Sequence, residues 1–96
     1  MVTLHIEHAI SDLQVWLGAF GQFAEARRNA GVTAERITQP HDDEHYIVVQ
    51  LDFASLEQAQ GFKGFLETVI WSSPENAPAL VGTPRARILT PVTLAS

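Results

Sequence analysis

Two hydrophobic periods alternate along this chain, and their order constrains its fold more than any other feature. Four runs have the two-residue period of a strand, and two have the 3.6-residue period of a helix; their order is β-α-β-β-α-β. In the first strand Val2, Leu4 and Ile6 fall on one side, and Thr3, His5 and Glu7 on the other. The first helical stripe is Leu13, Trp16, Leu17, Phe20, Phe23 and Ala24. The second runs through Leu56, Ala59, Phe62, Phe65, Leu66, Val69 and Ile70. Ser11–Asp12–Leu13–Gln14 and Ser55–Leu56–Glu57–Gln58 read as capping boxes that open the two helices. Arg27 and Arg28 suit the negative end of the first helix dipole, and Gly31 is its expected stop. Gly61 and Gly64 sit inside the second helix, where each costs about 1 kcal/mol relative to Ala. They are expected to permit close packing on the sheet, a slight kink, or the approach of a ligand.

The remaining strands follow from the same reading. Val32 to Gln39 alternates weakly and is polar, as suits a sheet edge. After a turn at Pro40 to Glu44 comes the strongest strand, Tyr46 to Phe53. Ile47, Val49, Leu51 and Phe53 share one of its faces, and Tyr46, Val48, Gln50 and Asp52 share the other. The segment Ser72 to Pro84 breaks the pattern with three prolines and is expected to hold a short helical turn near Pro74. Arg85 to Val92 is the last strand, with Pro91 marking its end or an edge.

Right-handed crossovers join these elements into one α+β fold, a four-stranded antiparallel sheet in the order 4-1-3-2 with both helices on one face. With 96 residues, 46% of them hydrophobic, the chain suffices for a single domain, 1–96, and one core. The other face of the sheet carries Thr3, His5, Glu7, Tyr46, Val48, Gln50 and Asp52. From the last strand it takes either Ala86, Ile88 and Thr90 or Arg85, Arg87 and Leu89; the residues leave that register open. This face is too apolar for a solvated surface and too charged for a dry core. A wet but covered face is expected, and the simplest cover is a second copy of the sheet, giving a homodimer.

Composition removes several classes of function. The net charge is -5, and only Arg27–Arg28 and Arg85–Arg87 are locally basic, so nucleic acid is not an expected partner. There is no cysteine, which excludes disulfides, thiolate catalysis and Cys-ligated zinc. No apolar run approaches the roughly 18 residues of a membrane helix, and the first residues do not read as a signal peptide. A cytoplasmic protein is the expectation. No Gly-rich phosphate loop or Gly-x-Ser-x-Gly elbow occurs.

The β-α-β-β-α-β order, the length and the half-polar second face together resemble the ferredoxin-like dimeric α/β barrel superfamily. That group includes antibiotic-biosynthesis monooxygenase-like domains, dye-decolourising and chlorite-processing enzymes, muconolactone isomerase-like proteins and stress-response barrel proteins. The stretch Phe62-Lys-Gly-Phe-Leu-Glu-Thr-Val-Ile-Trp-Ser-Ser-Pro-Glu-Asn-Ala-Pro-Ala-Leu-Val-Gly82 is similar to small bacterial members of the group. The resemblance covers nearly the whole chain. It implies a dimeric barrel and, in the manner of the monooxygenase-like and isomerase-like relatives, chemistry without a bound cofactor. It carries over no catalytic residue, and fold alone does not define function.

The candidate chemistry therefore rests on the residues themselves. His5 and Glu7 project from one face of a central strand; His5 is the candidate general base and Glu7 its orienter. Arg87 joins them in one of the two registers of the last strand. Tyr46, Gln50 and Trp71 are the candidate ligand-binding residues, with an apolar or aromatic small molecule lying between sheet and helices. The alternative is a satisfied polar network that sets dimer registry, in a non-enzymatic ligand-sensing or structural module. His41–Asp42–Asp43–Glu44–His45 is the densest set of possible metal ligands, but it falls in a hairpin turn where such residues are at home, and no metal is expected.

Overall fold

The computed structural model describes residues 1–94; Ala95 and Ser96, the end of the single expected domain, lie outside the described residues. The elements are β1 (Val2–Ile10), α1 (Leu13–Gln22), α2 (Ala24–Asn29), β2 (Val32–Thr38), β3 (Tyr46–Phe53), α3 (Leu56–Phe65) with a closing π-helical turn Leu66–Ile70, and β4 (Leu80–Leu89). The four strands form one sheet in the order β2-β3-β1-β4, every pairing antiparallel. This is the expected 4-1-3-2 order seen from its other edge. The molecule measures 44 × 31 × 20 Å, and its shortest dimension is two layers thick, one sheet and one layer of helices.

The two central strands carry the core because their alternating apolar residues all face the helices. Leu4 and Ile10 of β1 and Ile47, Val49, Leu51 and Phe53 of β3 are almost wholly buried. Each such side chain contributes roughly 1.5–3 kcal/mol by leaving water. From the helices Trp16, Ala59 and Phe62 reach the same core. Leu17, Leu56 and Val69 belong to the helical stripes by spacing but lie outside it, at 39%, 46% and 43% exposed.

The first helix departs from the single run expected. It breaks at Phe23, whose φ of -103° and ψ of 16° end α1 and begin α2. At the break the Phe20 carbonyl accepts the Phe23 N–H at 3.2 Å, and Arg27 supplies it a second donor. Its Nη1 donates to the Phe20 oxygen at 2.6 Å and its Nε to Glu35 of β2 at 2.8 Å. Its guanidinium lies 3.5 Å over the Phe20 ring. Arg27 is thus buried and structural rather than a surface partner of the helix dipole. The cap of α1 also differs from the expectation: Asp12, not Ser11, accepts the N–H of Val15. A carboxylate adjacent to the positive helix end is at least as good a cap as a hydroxyl, and here it stands one residue closer to the first turn.

The second helix is capped as expected by Ser55, which accepts from the Gln58 N–H. The Gln58 side chain lies against Gly31, where a Cβ would meet its Nε2 at 2.6 Å. Gly31 has φ +102° and turns the chain from α2 into β2, so both backbone and space require glycine there. Gly61 and Gly64 have open space where a Cβ would stand, so the expected close packing at these positions is absent. The irregularity of this helix comes just after them. Leu66–Ile70 is π-helical, with the Trp71 N–H donating to the Leu66 carbonyl at 2.8 Å. Side chains serve the carbonyls around this turn: Thr68 bonds to Gly64, Ser72 to Thr68, and Asn76 to Val69.

The last strand begins earlier than its sequence suggests. It runs from Leu80, because an irregularity between Glu7 and Ala9 sets three residues, Gly82, Thr83 and Pro84, opposite His8 alone. Gly82 at φ +73° makes the bulge possible, and Pro84 sits within it on an edge strand. Before the strand, Ser73–Ala77 forms a single turn, as expected near Pro74.

Candidate functional site

The sheet separates two surfaces of different chemistry. On the open face, residues of four strands fall into cross-strand rows. Thr38, Val48, Glu7 and Arg85 form one, and Arg36, Gln50, His5 and Arg87 the next. The register left open by the sequence is therefore the one that places Arg85, Arg87 and Leu89 on this face.

Seven of these side chains are joined in a continuous hydrogen-bonded chain. Thr3 donates to Asp52 at 2.7 Å, and Arg36 reaches the same carboxylate with two nitrogens at 2.9 and 3.0 Å. The Arg36 Nε donates to the Gln50 Oε1 at 3.2 Å, which turns the Gln50 amide nitrogen toward His5 Nδ1 at 3.1 Å. His5 Nε2 lies 2.9 Å from the Glu7 carboxylate, and the Tyr46 hydroxyl donates to the other Glu7 oxygen at 2.8 Å. Because the Gln50 amide can only donate there, the His5 proton sits on Nε2 and points at Glu7. The electrostatics follow from these contacts. The two donors His5 and Tyr46 hold the Glu7 carboxyl below its ordinary pKa, and the Glu7 carboxylate raises that of Tyr46. Arg36 and then Thr3 bring Asp52 down to about 2. A cleft of about 350 Å³ opens beside His5, Glu7, Arg85 and Arg87.

On the other side of the sheet, between it and the helices, lies a partly open cavity of about 80 Å³. Both tryptophans of the chain, Trp16 and Trp71, line it, and its walls are otherwise mainly phenylalanine and aliphatic residues. Trp16 stacks on Phe20 with ring centroids 4.7 Å apart. Three polar residues interrupt the apolar lining: His8, Arg27 and Asn76. Asn76 donates to Val69 at the π-helical turn, and Arg27 is held as described above. His8 is 5% exposed and places Nδ1 2.8 Å from the Ala9 carbonyl. A carbonyl only accepts, so the Nδ1 proton is donated to it and Nε2 carries the free lone pair. Burial lowers the His8 pKa, which keeps that lone pair available.

The sequence-derived site is thus divided. His5, Glu7, Tyr46 and Gln50 stand together, with Arg87 opposite His5, all on the open face. Trp71 lies across the sheet in the apolar cavity. One pocket between sheet and helices does not contain them all, because alternate residues of a strand point to opposite faces. His8, Arg27 and Asn76 were not candidates by sequence. The signal for His8 was its position in phase with Val2, Leu4 and Ile6, a polar residue where the period demands an apolar one. The turn His41–His45 is exposed, with Asp43 accepting the His45 N–H.

No protein-family model and no curated protein matches this sequence. Solved structures do. A Nitrosomonas europaea protein described as an antibiotic biosynthesis monooxygenase matches 97% of this chain with all of its own, at TM-score 0.71 and 15% identity. A dimeric ferredoxin-like protein from an uncultured marine organism covers 100% of this chain with 99% of its own, at TM-score 0.68 and 12% identity. A Thermus thermophilus protein described as PII-like in signalling matches 92% with 85% of its own, at TM-score 0.53 and 16% identity. At these identities the likeness establishes the fold: the chain is a ferredoxin-like α+β protein. Enzyme-like and signalling-like descriptions occur on this one fold, so function must be argued from the site.

Proposed function

We propose that this protein binds a small, largely apolar molecule in the cavity between sheet and helices, and does so as a homodimer joined through the open sheet face. The cavity carries the reading. It is lined by aromatic rings and interrupted by few polar groups, the composition of a small-molecule site. Its volume of about 80 Å³ suits a ligand of a few heavy atoms. A cavity of about 150 Å³ takes a benzene ring, so a ligand of that size requires Trp71 or the π-helical turn to move aside. The half-apolar open face and the dimeric state stated for the marine ferredoxin-like protein support the second part. In this reading the Thr3-to-Tyr46 network sets the registry of two sheets. Transformation of the ligand without a bound cofactor is the catalytic form of the same proposal.

A second reading has one observation in its favour. The cleft beside His5 and Glu7 becomes enclosed when a second sheet covers it, and His5 would then be a general base oriented by Glu7, with Arg87 beside it.

The test uses the two tryptophans, which both border the cavity. Titration with small aromatic heterocycles is expected to change intrinsic fluorescence saturably. Replacing Ala77, a cavity-lining residue, with Phe should abolish the change. An unchanged spectrum across the series would overturn the cavity reading.

A further inference from the structure

We infer that His8 selects the ligand, favouring one that carries a neutral N–H or O–H donor on an otherwise apolar body. This inference rests on the cavity reading above. It starts from hydrogen-bond accounting. Every fully buried side-chain nitrogen or oxygen among the described residues has a partner. His8 Nε2 has none, so it is not fully enclosed although the residue is 95% buried, and the space that His8 borders is the cavity. An acceptor in apolar surroundings is left without a partner whenever the cavity holds a ligand that cannot donate.

The other ionisable group at the cavity cannot take over this role. Arg27 is the only other ionisable side chain bordering the cavity among the described residues. It is tied to Glu35, the Phe20 carbonyl and the Phe20 ring. It is also a donor and a cation, so it adds no acceptor and opposes a cationic ligand. The Asn76 amide nitrogen is committed to Val69, which leaves its Oδ1 as a second side-chain acceptor, at the π-helical turn rather than on the sheet. A carboxylate ligand brings only acceptors to His8 Nε2 and is disfavoured there. What remains is a neutral donor: a pyrrole-type or amide N–H, or a hydroxyl.

Pyrrole and furan form the discriminating pair, because they share ring size and differ in having a donor. Calorimetric titration of the intact protein at neutral pH is expected to show pyrrole binding about tenfold more tightly than furan, the effect of one net hydrogen bond. In His8→Phe the difference should vanish while both still bind. Should that variant fail to fold, ¹⁵N spectra of the wild-type imidazole provide the same information: the Nε2 resonance moves with pyrrole and stays with furan. Lowering the pH until His8 is protonated on Nε2 should remove the preference for pyrrole. Equal affinities, with an unmoved Nε2 resonance, would overturn the role of His8 and leave the cavity reading standing. Binding of neither ring would overturn both.

Discussion

At the level of single residues, the open-face network makes the clearest demand on pH. Asp52 accepts from Arg36 and Thr3, and its folded pKa of about 2 lies below the ordinary 3.8. The stabilisation from its ionised form is therefore complete above the unfolded value. It is lost as pH falls from about 4 through about 2. Asp52→Asn should unfold at a lower temperature than wild type at pH 7. The deficit is on the order of 1 kcal/mol, or roughly 4–8 °C for a domain of this size. The gap should close as the pH approaches 2; a constant gap in thermal melts would mean that ionisation of Asp52 is not the source of the stabilisation. His5 tests the same network from its centre. If His5 is structural, His5→Ala leaves the Glu7 and Gln50 groups short of a partner and lowers the melting temperature. If it is a base, turnover falls while the melting temperature is nearly unchanged.

At the level of elements, irregularities rather than regular runs decide where chemistry sits. The break at Phe23 puts Arg27 inside the protein, the π-helical turn precedes Trp71 at the cavity wall, and the bulge at Gly82–Pro84 lets β4 pair from Leu80 onward. Periodicity finds the regular runs because it averages over many residues. It misses these features because each involves only a few. The cap of α1 gives a direct check. Asp12→Ala should destabilise the fold by about 1 kcal/mol, whereas Ser11→Ala should be near neutral in urea denaturation. The opposite ranking would return the cap to Ser11.

For the whole molecule, the sheet has one face under helices and one face open. A single chain leaves Tyr46, Val48 and Leu89 on that face together with an ordered polar network, and the proposed second copy would cover both. Light scattering at micromolar concentration should give the mass of two chains, and a mass of one would refute the homodimer. Arg87→Glu, which puts a carboxylate opposite His5 in the centre of the face, should shift the protein toward monomer while preserving its far-ultraviolet circular dichroism.

Strand and helix order, the sheet order and the facing of β1 and β3 were legible from the sequence alone, because burial imposes a period on each element and the connections restrict topology. The pairing of His5 with Glu7 on one face was legible for the same reason. What only the tertiary structure decided was the register of β4, which turns on a three-residue bulge, and the partition of the candidate residues between two sides of the sheet. The burial of His8 and Arg27 was also decided there. A polar residue reads as surface until the neighbours that enclose and satisfy it are known, and those neighbours come from distant parts of the chain.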